Sequence, residues 1–150
     1  MSQSNRLSWH ELFMQIAKLV AQRSEDPHTK VGACLVKDNH VIGIGYNGVP
    51  RGFEGSFDWH SSEKYDYVIH AEMNAIANAC AIGANVTGAE IFLTMSPCHD
   101  CMKLIVQHQI KKVYFIDQYK DFDLSLKIAN ACDILMIQVT EKGEHFYGID

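Results

Sequence analysis

The chain is expected to fold as an α/β protein in three layers, a five-stranded mixed sheet sandwiched by helices. Three observations predict this. From residue 90 onward, short apolar runs alternate with helical patterns over short links, which calls for right-handed crossovers and parallel pairing. Two earlier strand-like runs lie close enough to form a hairpin. A helix-periodic segment precedes them both.

The elements follow in order. Ser8 with Glu11 three residues later makes a capping box. Trp9, Leu12, Phe13, Ile16, Leu19 and Val20 then recur at helical spacing, giving a first helix to about Arg23. Ser24-Glu25-Asp26-Pro27 stops it. Strands at about 30–37 and 41–46 flank Asp38-Asn39-His40 as a hairpin connection, and Val31, Cys34, Leu35 and Val36 predict a first strand covered on both faces. Residues 50–68 are polar and glycine-bearing but rich in aromatics. Such a long loop reads as a lid or binding segment, or equally as an excursion whose aromatics tuck onto the core. A helix over 71–82 follows, with Gly83 as its stop. Strands at 90–95, 112–116 and 134–139 then alternate with helices at 97–108 and 123–131.

Composition narrows the class. With 150 residues, 47% hydrophobic and 21% charged, the sequence has the balance of one soluble domain spanning residues 1–150. It lacks any apolar run of about 18 residues, and its start lacks the basic-then-apolar layout of a leader. A cytoplasmic protein without a membrane partner is expected. The net charge of -5 and the scattered 13 Lys and Arg argue against extended nucleic acid, which usually meets a basic stripe. Five cysteines, an odd number, do not suggest a secreted disulfide framework. Cys34, Cys80 and Cys132 read as small buried hydrophobes.

Cys98 and Cys101, in MSPCHDC, remain to be explained. Ser96 suits a cap and Pro97 a first helical turn, which places Cys98 at a helix N-terminus, where the dipole favours thiolate. Cys101 follows one turn later on the same face, so both sulfurs can grip one ion or close a disulfide. A structural zinc site lacks its other ligands: there is no second CxxC, and His99 would point away. His70, in IHAEMNA, is the informative candidate, because Glu72 stands two residues on. The two can share a site only if His70 lies at the helix boundary, since residues i and i+2 of a continuous helix diverge by about 200°. His70, Cys98 and Cys101 then make three ligands of a catalytic zinc whose fourth position is left to water, with Glu72 as the nearby base. His-x-Glu followed by Pro-Cys-x-x-Cys is the zinc deaminase signature.

Several longer stretches resemble the deoxycytidylate deaminase family within the cytidine deaminase-like superfamily: RSEDPHTKVGAC at 23–34, GYNGVPRG at 45–52, HAEMNAI at 70–76, and SPCHDC. The likeness runs from about residue 8 to the last strand. It implies the three-layer cytidine deaminase-like fold and hydrolysis of dCMP to dUMP and ammonia, supplying dUMP for thymidylate synthesis. By this resemblance His70, Cys98 and Cys101 bind Zn2+, and Glu72 shuttles protons. Asn47, Ala71, Asp26 and Tyr119 are expected at the substrate. Tyr119, in the loop after a strand, reads equally as a solvent-facing tyrosine. The family is often a homohexamer activated by dCTP and inhibited by dTTP, with Mg2+ on the triphosphate. Asn47, Gly48, Arg51 and Gly52 are the implied effector contacts. Because residues 50–68 contain no cysteine, one zinc per chain is expected. Deaminases of dCTP or cytidine, and a thiol-disulfide oxidoreductase using Cys98 and Cys101, are the competing readings.

Overall fold

The protein is described by a computed structural model over residues 5–148. Six strands form one mixed sheet: β1 (Gly32–Lys37), β2 (His40–Tyr46), β3 (Glu90–Met95), β4 (Lys112–Asp117), β5 (Leu135–Thr140) and β6 (Gly143–Tyr147). Their order is β2-β1-β3-β4-β5-β6. β3, β4 and β5 are parallel neighbours, and the other pairings are antiparallel.

The sixth strand corrects the expected count of five. β6, GEHFY, is short, polar and largely exposed, so it lacks the apolar alternation that marks a strand in sequence. It is an edge strand, held by its ladder to β5 and by Tyr147. The Tyr147 hydroxyl donates to Gln138 Oε1 at 2.9 Å, and its ring meets Phe122 and Phe115.

Strand alternation divides the core in two. Ala33, Leu35, Ile91, Leu93, Val113, Phe115 and Met136 face three helices: α2 (Ala71–Ala81), α3 (His99–Gln107) and α4 (Phe122–Ala131). The intervening residues Cys34, Val36, Phe92, Tyr114 and Ile137 face α1 (Trp9–Ala21). β1 is therefore covered on both faces, as its run of apolar residues predicted. On the α1 face Phe92 and Tyr114 stack with centroids 4.3 Å apart, and Phe13 packs on Phe92 at 5.3 Å. The capping box of α1 is present, with Glu11 N–H donating to Ser8 Oγ at 3.1 Å. Asp38 and Asn39 make the β1–β2 turn with φ of 51° and 61°, the positive values that a tight hairpin requires.

Of the three cysteines expected to be buried, only Cys34 is. Cys80 lies on the open side of α2, and Cys132 follows the last turn of α4. Alanine-rich helix sequence such as NAIANACAI hides which face is outward.

β2 and α2 approach unusually closely, and glycine permits it. A Cβ on Gly45 would lie 2.3 Å from the backbone nitrogen of Ala75. The obstruction is helix backbone, not a flexible side chain, so α2 would have to move. Gly45→Ala is expected to destabilise the fold by about 3 kcal/mol, at the upper end for overpacking. A urea unfolding curve would read this as a lowered midpoint; an unchanged midpoint would contradict the close seating.

Candidate active site and metal centre

The site lies beyond the carboxyl ends of β3 and β4, where open α/β sheets commonly gather ligands. β3 ends at Met95, and the next residues turn inward. Ser96 Oγ accepts the Tyr119 N–H at 2.7 Å, and Ser96 N–H donates to Asp117 O at 2.8 Å. Pro97 O accepts from the buried Ser125 hydroxyl at 2.7 Å. This turn is thus pinned from β4 and α4 before α3 begins.

The sequence placed Ser96 as the cap and Pro97 in the first helical turn. The helix instead starts at His99, with Cys98 itself at the N-cap, its sulfur accepting Cys101 N–H at 3.4 Å. A cysteine is an uncommon cap, and nothing in its type predicts that position. Cys98 still lies at a helix N-terminus, as expected. His70 is likewise the N-cap of α2, with extended backbone (φ -68°, ψ 153°) and no side-chain cap bond. The helix-boundary condition on His70 and Glu72 is met.

His70 Nδ1 lies 3.5 Å from Cys98 Sγ and 3.4 Å from Cys101 Sγ. Two ligands at about 2.0 and 2.3 Å from one ion, at a tetrahedral angle, stand about 3.5 Å apart. These separations suit a shared zinc, and the donor set of one imidazole and two sulfurs fits Zn2+. The three ligand atoms all lie within 4.8 Å of one another, and no other such group of three occurs among the described residues. Glu72 Oε1 is 3.5 Å from the same Nδ1, and Glu72 is buried.

The three clustered groups shift one another's protonation. Hydrogen bonding from Cys101, with help from His70, pulls the Cys98 thiol down to about 4 against the opposing effect of burial. Facing that thiolate, and buried as well, Cys101 is pushed up. The Cys98 sulfur and then Glu72 raise His70 to about 10.

His99 takes no part in the cluster, as the sequence indicated. Its Nδ1 and Asp121 Oδ2 are 2.6 Å apart, and its backbone N–H donates to the same oxygen at 3.0 Å. Asp121, which sequence reasoning passed over, thereby ties α4 to the first residue of α3. No local spacing signals that contact, since 22 residues separate the two.

A cavity of about 90 Å³ opens onto His70, Ala71, Glu72 and Cys98, with Asn47, Asp26 and Tyr119 around it. All four residues expected at the substrate therefore border one space. Asn47 also serves as a brace: its Oδ1 accepts from Val31 N–H and its Nδ2 donates to Thr29 O, both at 2.9 Å. Asp26 is buried and bonded three times, by His28 N–H, Thr29 N–H and Lys64 Nζ. Burial pushes its carboxyl up, but these bonds outweigh burial and hold it below the usual carboxylate range. Tyr65, one of the aromatics of the long loop, and Lys64, which sequence reasoning passed over, also border the cavity.

That loop is tied back rather than extended. It contains a short 3-10 helix, Ser62–Asp66. Lys64 reaches Asp26, and His60 Nδ1 lies 2.9 Å from His28 Nε2. Phe53, Phe57, Trp59 and Tyr67 pack on one another rather than onto the core, while Lys64, Tyr65 and Val68 border the cavity.

A second, larger cavity of about 310 Å³ is lined by Gly48, Arg51, Trp59, Asn74 and Asn78 among others. Of the implied effector contacts, Gly48 and Arg51 border it, whereas Asn47 borders the first cavity and Gly52 neither. Size alone would favour this cavity as the reaction site, but His70, Glu72 and Cys98 border the smaller one.

A mixed α/β sheet carrying His-x-Glu at one helix start and Cys-x-x-Cys at another defines the class of zinc-dependent deaminases. Residues 7–117 match the model of the cytidine and deoxycytidylate deaminase zinc-binding region. The chain is 44% identical over 126 residues to the deoxycytidylate deaminase of Homo sapiens, covering 78% of this chain and 70% of the relative. It is 37% identical over 137 residues to ComE operon protein 2 of Bacillus subtilis, covering 89% and 72%. The crystal structure of dCMP deaminase from cyanophage S-TIM5, in complex with dCMP and dUMP, superposes with a TM-score of 0.77 at 33% identity, covering 84% and 93%. The chain belongs to the cytidine and deoxycytidylate deaminase family, and it is a deaminase enzyme. No helix among the described residues is long and apolar enough to cross a membrane.

Proposed function

We propose that this deaminase acts on dCMP, giving dUMP and ammonia and so supplying dUMP for thymidylate synthesis. The observation that carries the reading is the convergence of Cys98, Cys101 and Glu72 on one nitrogen, His70 Nδ1, in a cavity bordered by Asn47 and Tyr119. Deoxycytidylate deaminases at 44% identity support the substrate.

His70, Cys98 and Cys101 would hold the zinc. When bound, such an ion makes water a nucleophile near neutral pH. The chain's own acid-base group is Glu72, whose carboxylate takes the proton of the attacking water and passes it to cytosine N3. It then takes the proton of the hydroxyl newly added at C4 and delivers it to the departing amine, leaving the C4 carbonyl and ammonia, so one carboxyl works as base and acid in turn. Burial keeps Glu72 out of bulk water, and its place in the first turn of α2 fixes it beside His70. Ala71 lies between the two and forms cavity wall. Asn47, braced on Val31 and Thr29, would face the deoxyribose.

The same reading extends to regulation. dCTP would activate and dTTP inhibit, each with Mg2+, at the second cavity, where the Arg51 guanidinium can meet phosphate and Gly48 lets backbone approach. It also includes a cytoplasmic homohexamer of single-domain chains with one zinc each.

The test is ammonia release from dCMP, dCTP, deoxycytidine and cytidine, with and without dCTP or dTTP as effector. Preference for dCMP, raised by dCTP and lowered by dTTP, is expected. Equal rates on all four would reduce the assignment to a general cytosine deaminase. Chelator-insensitive thiol exchange without ammonia would replace it with the oxidoreductase.

A further inference from the structure

Cys98 has two tasks that compete for one sulfur. It is the N-cap of α3, where Sγ accepts the Cys101 N–H at 3.4 Å. It is also one of the three clustered metal-ligating residues. Sulfur is a weak acceptor, and a cap ordinarily relies on the side-chain oxygen of Ser, Thr, Asp or Asn. A helix start without such partners leaves backbone N–H groups unmet, so the first turn of α3 needs an acceptor from elsewhere.

Asp121 provides one from 22 residues further along the chain. Its Oδ2 accepts the His99 backbone N–H at 3.0 Å, and His99 Nδ1 stands 2.6 Å from the same oxygen. His99 is the first residue of α3, so a carboxylate meets the positive end of the helix dipole there. Asp121 is also the N-cap residue of its own helix, α4, yet its side chain caps nothing in α4. Its second oxygen, Oδ1, is buried without a hydrogen-bond partner, a costly arrangement that the stability of α4 does not explain. The carboxylate is turned toward α3 instead.

Resting on the zinc reading above, we propose that Asp121 is a positioning residue of the metal centre. It caps α3 from outside the helix, which fixes the first turn and frees the Cys98 sulfur for the ion. The bond that matters is the one to the His99 backbone N–H; the bond to the His99 ring keeps the carboxylate facing α3. Partners that orient a metal ligand in this way are commonly worth about tenfold to a hundredfold in metal affinity.

The experiment compares wild type, Asp121→Ala, Asp121→Asn and His99→Ala. It measures zinc affinity by competition with a chromophoric chelator, and the sulfur-to-metal absorption band of cobalt-substituted protein. Asp121→Ala is expected to weaken zinc binding by about tenfold to a hundredfold. It should also shift the cobalt band, because Cys98 then divides its sulfur between the Cys101 N–H and the ion. Asp121→Asn, whose amide oxygen can accept the same N–H, should recover most of the affinity, and His99→Ala should bind zinc nearly as wild type does. A purely structural part for Asp121 would lower the melting temperature of metal-free and zinc-bound protein equally and leave the cobalt band in place. That result would overturn the proposal, as would wild-type zinc affinity in Asp121→Ala, or a loss in His99→Ala as large as that in Asp121→Ala. Wild-type protein that takes up no zinc would overturn the metal reading together with this one, whereas the other failures leave the metal reading standing.

Discussion

Glu72→Ala is expected to keep its zinc and lose turnover by about 10³ to 10⁴-fold, the upper range for removing one acid-base group. The zinc should stay because Glu72 is not among the three clustered ligands; its Oε1 stands 3.5 Å from His70 Nδ1 as a neighbour. Turnover should fall because no other carboxylate is poised there. Asp26, the second carboxylate of the cavity, is fully occupied by His28, Thr29 and Lys64. Helix α2 needs no repair after the change, since alanine is the best helix former. Metal analysis beside a steady-state assay separates the two effects. A zinc-loaded, fully active variant would remove Glu72 from the chemistry.

Cys98→Ala should do the opposite, losing the metal first and activity with it. Two of three protein ligands rarely hold a catalytic zinc. The substitution also removes the sulfur that accepts Cys101 N–H at the start of α3. His70 loses the neighbour that most strongly favours its charged form. Zinc content after dialysis is expected to fall to near background, and activity to disappear in proportion. The pinning of this turn by Ser96 and Ser125 should keep α3 in place, so circular dichroism should change little. Retained zinc at wild-type stoichiometry would contradict the ligand assignment.

Much of this architecture was legible because the patterns are strong where they matter. The alternating runs of β3, β4 and β5 each face two packed layers, and apolar burial on both sides writes a clear signal. β6 was not legible, because an exposed edge strand is free to be polar. The placement of His70 at a helix start followed from the geometric demand that it share a site with Glu72. Ser96 misled for a related reason: serine suits a cap, yet the turn uses it to anchor Tyr119, a contact 23 residues away. Lys64 and Asp121 were hidden in the same way. Each acts through partners brought near by the parallel crossover or the folded loop, and no local pattern records such encounters. Asn47, expected at the substrate and the effector, borders the first cavity with its amide committed to Val31 and Thr29.

One zinc ion, held by His70, Cys98 and Cys101, is expected to be required for dCMP deamination. Zinc titrated into metal-stripped protein, with dUMP formation followed at each step, tests it most directly. Activity should rise from near zero and level off at one zinc per chain. Full dUMP formation by the stripped protein, or none at any zinc level, would contradict it.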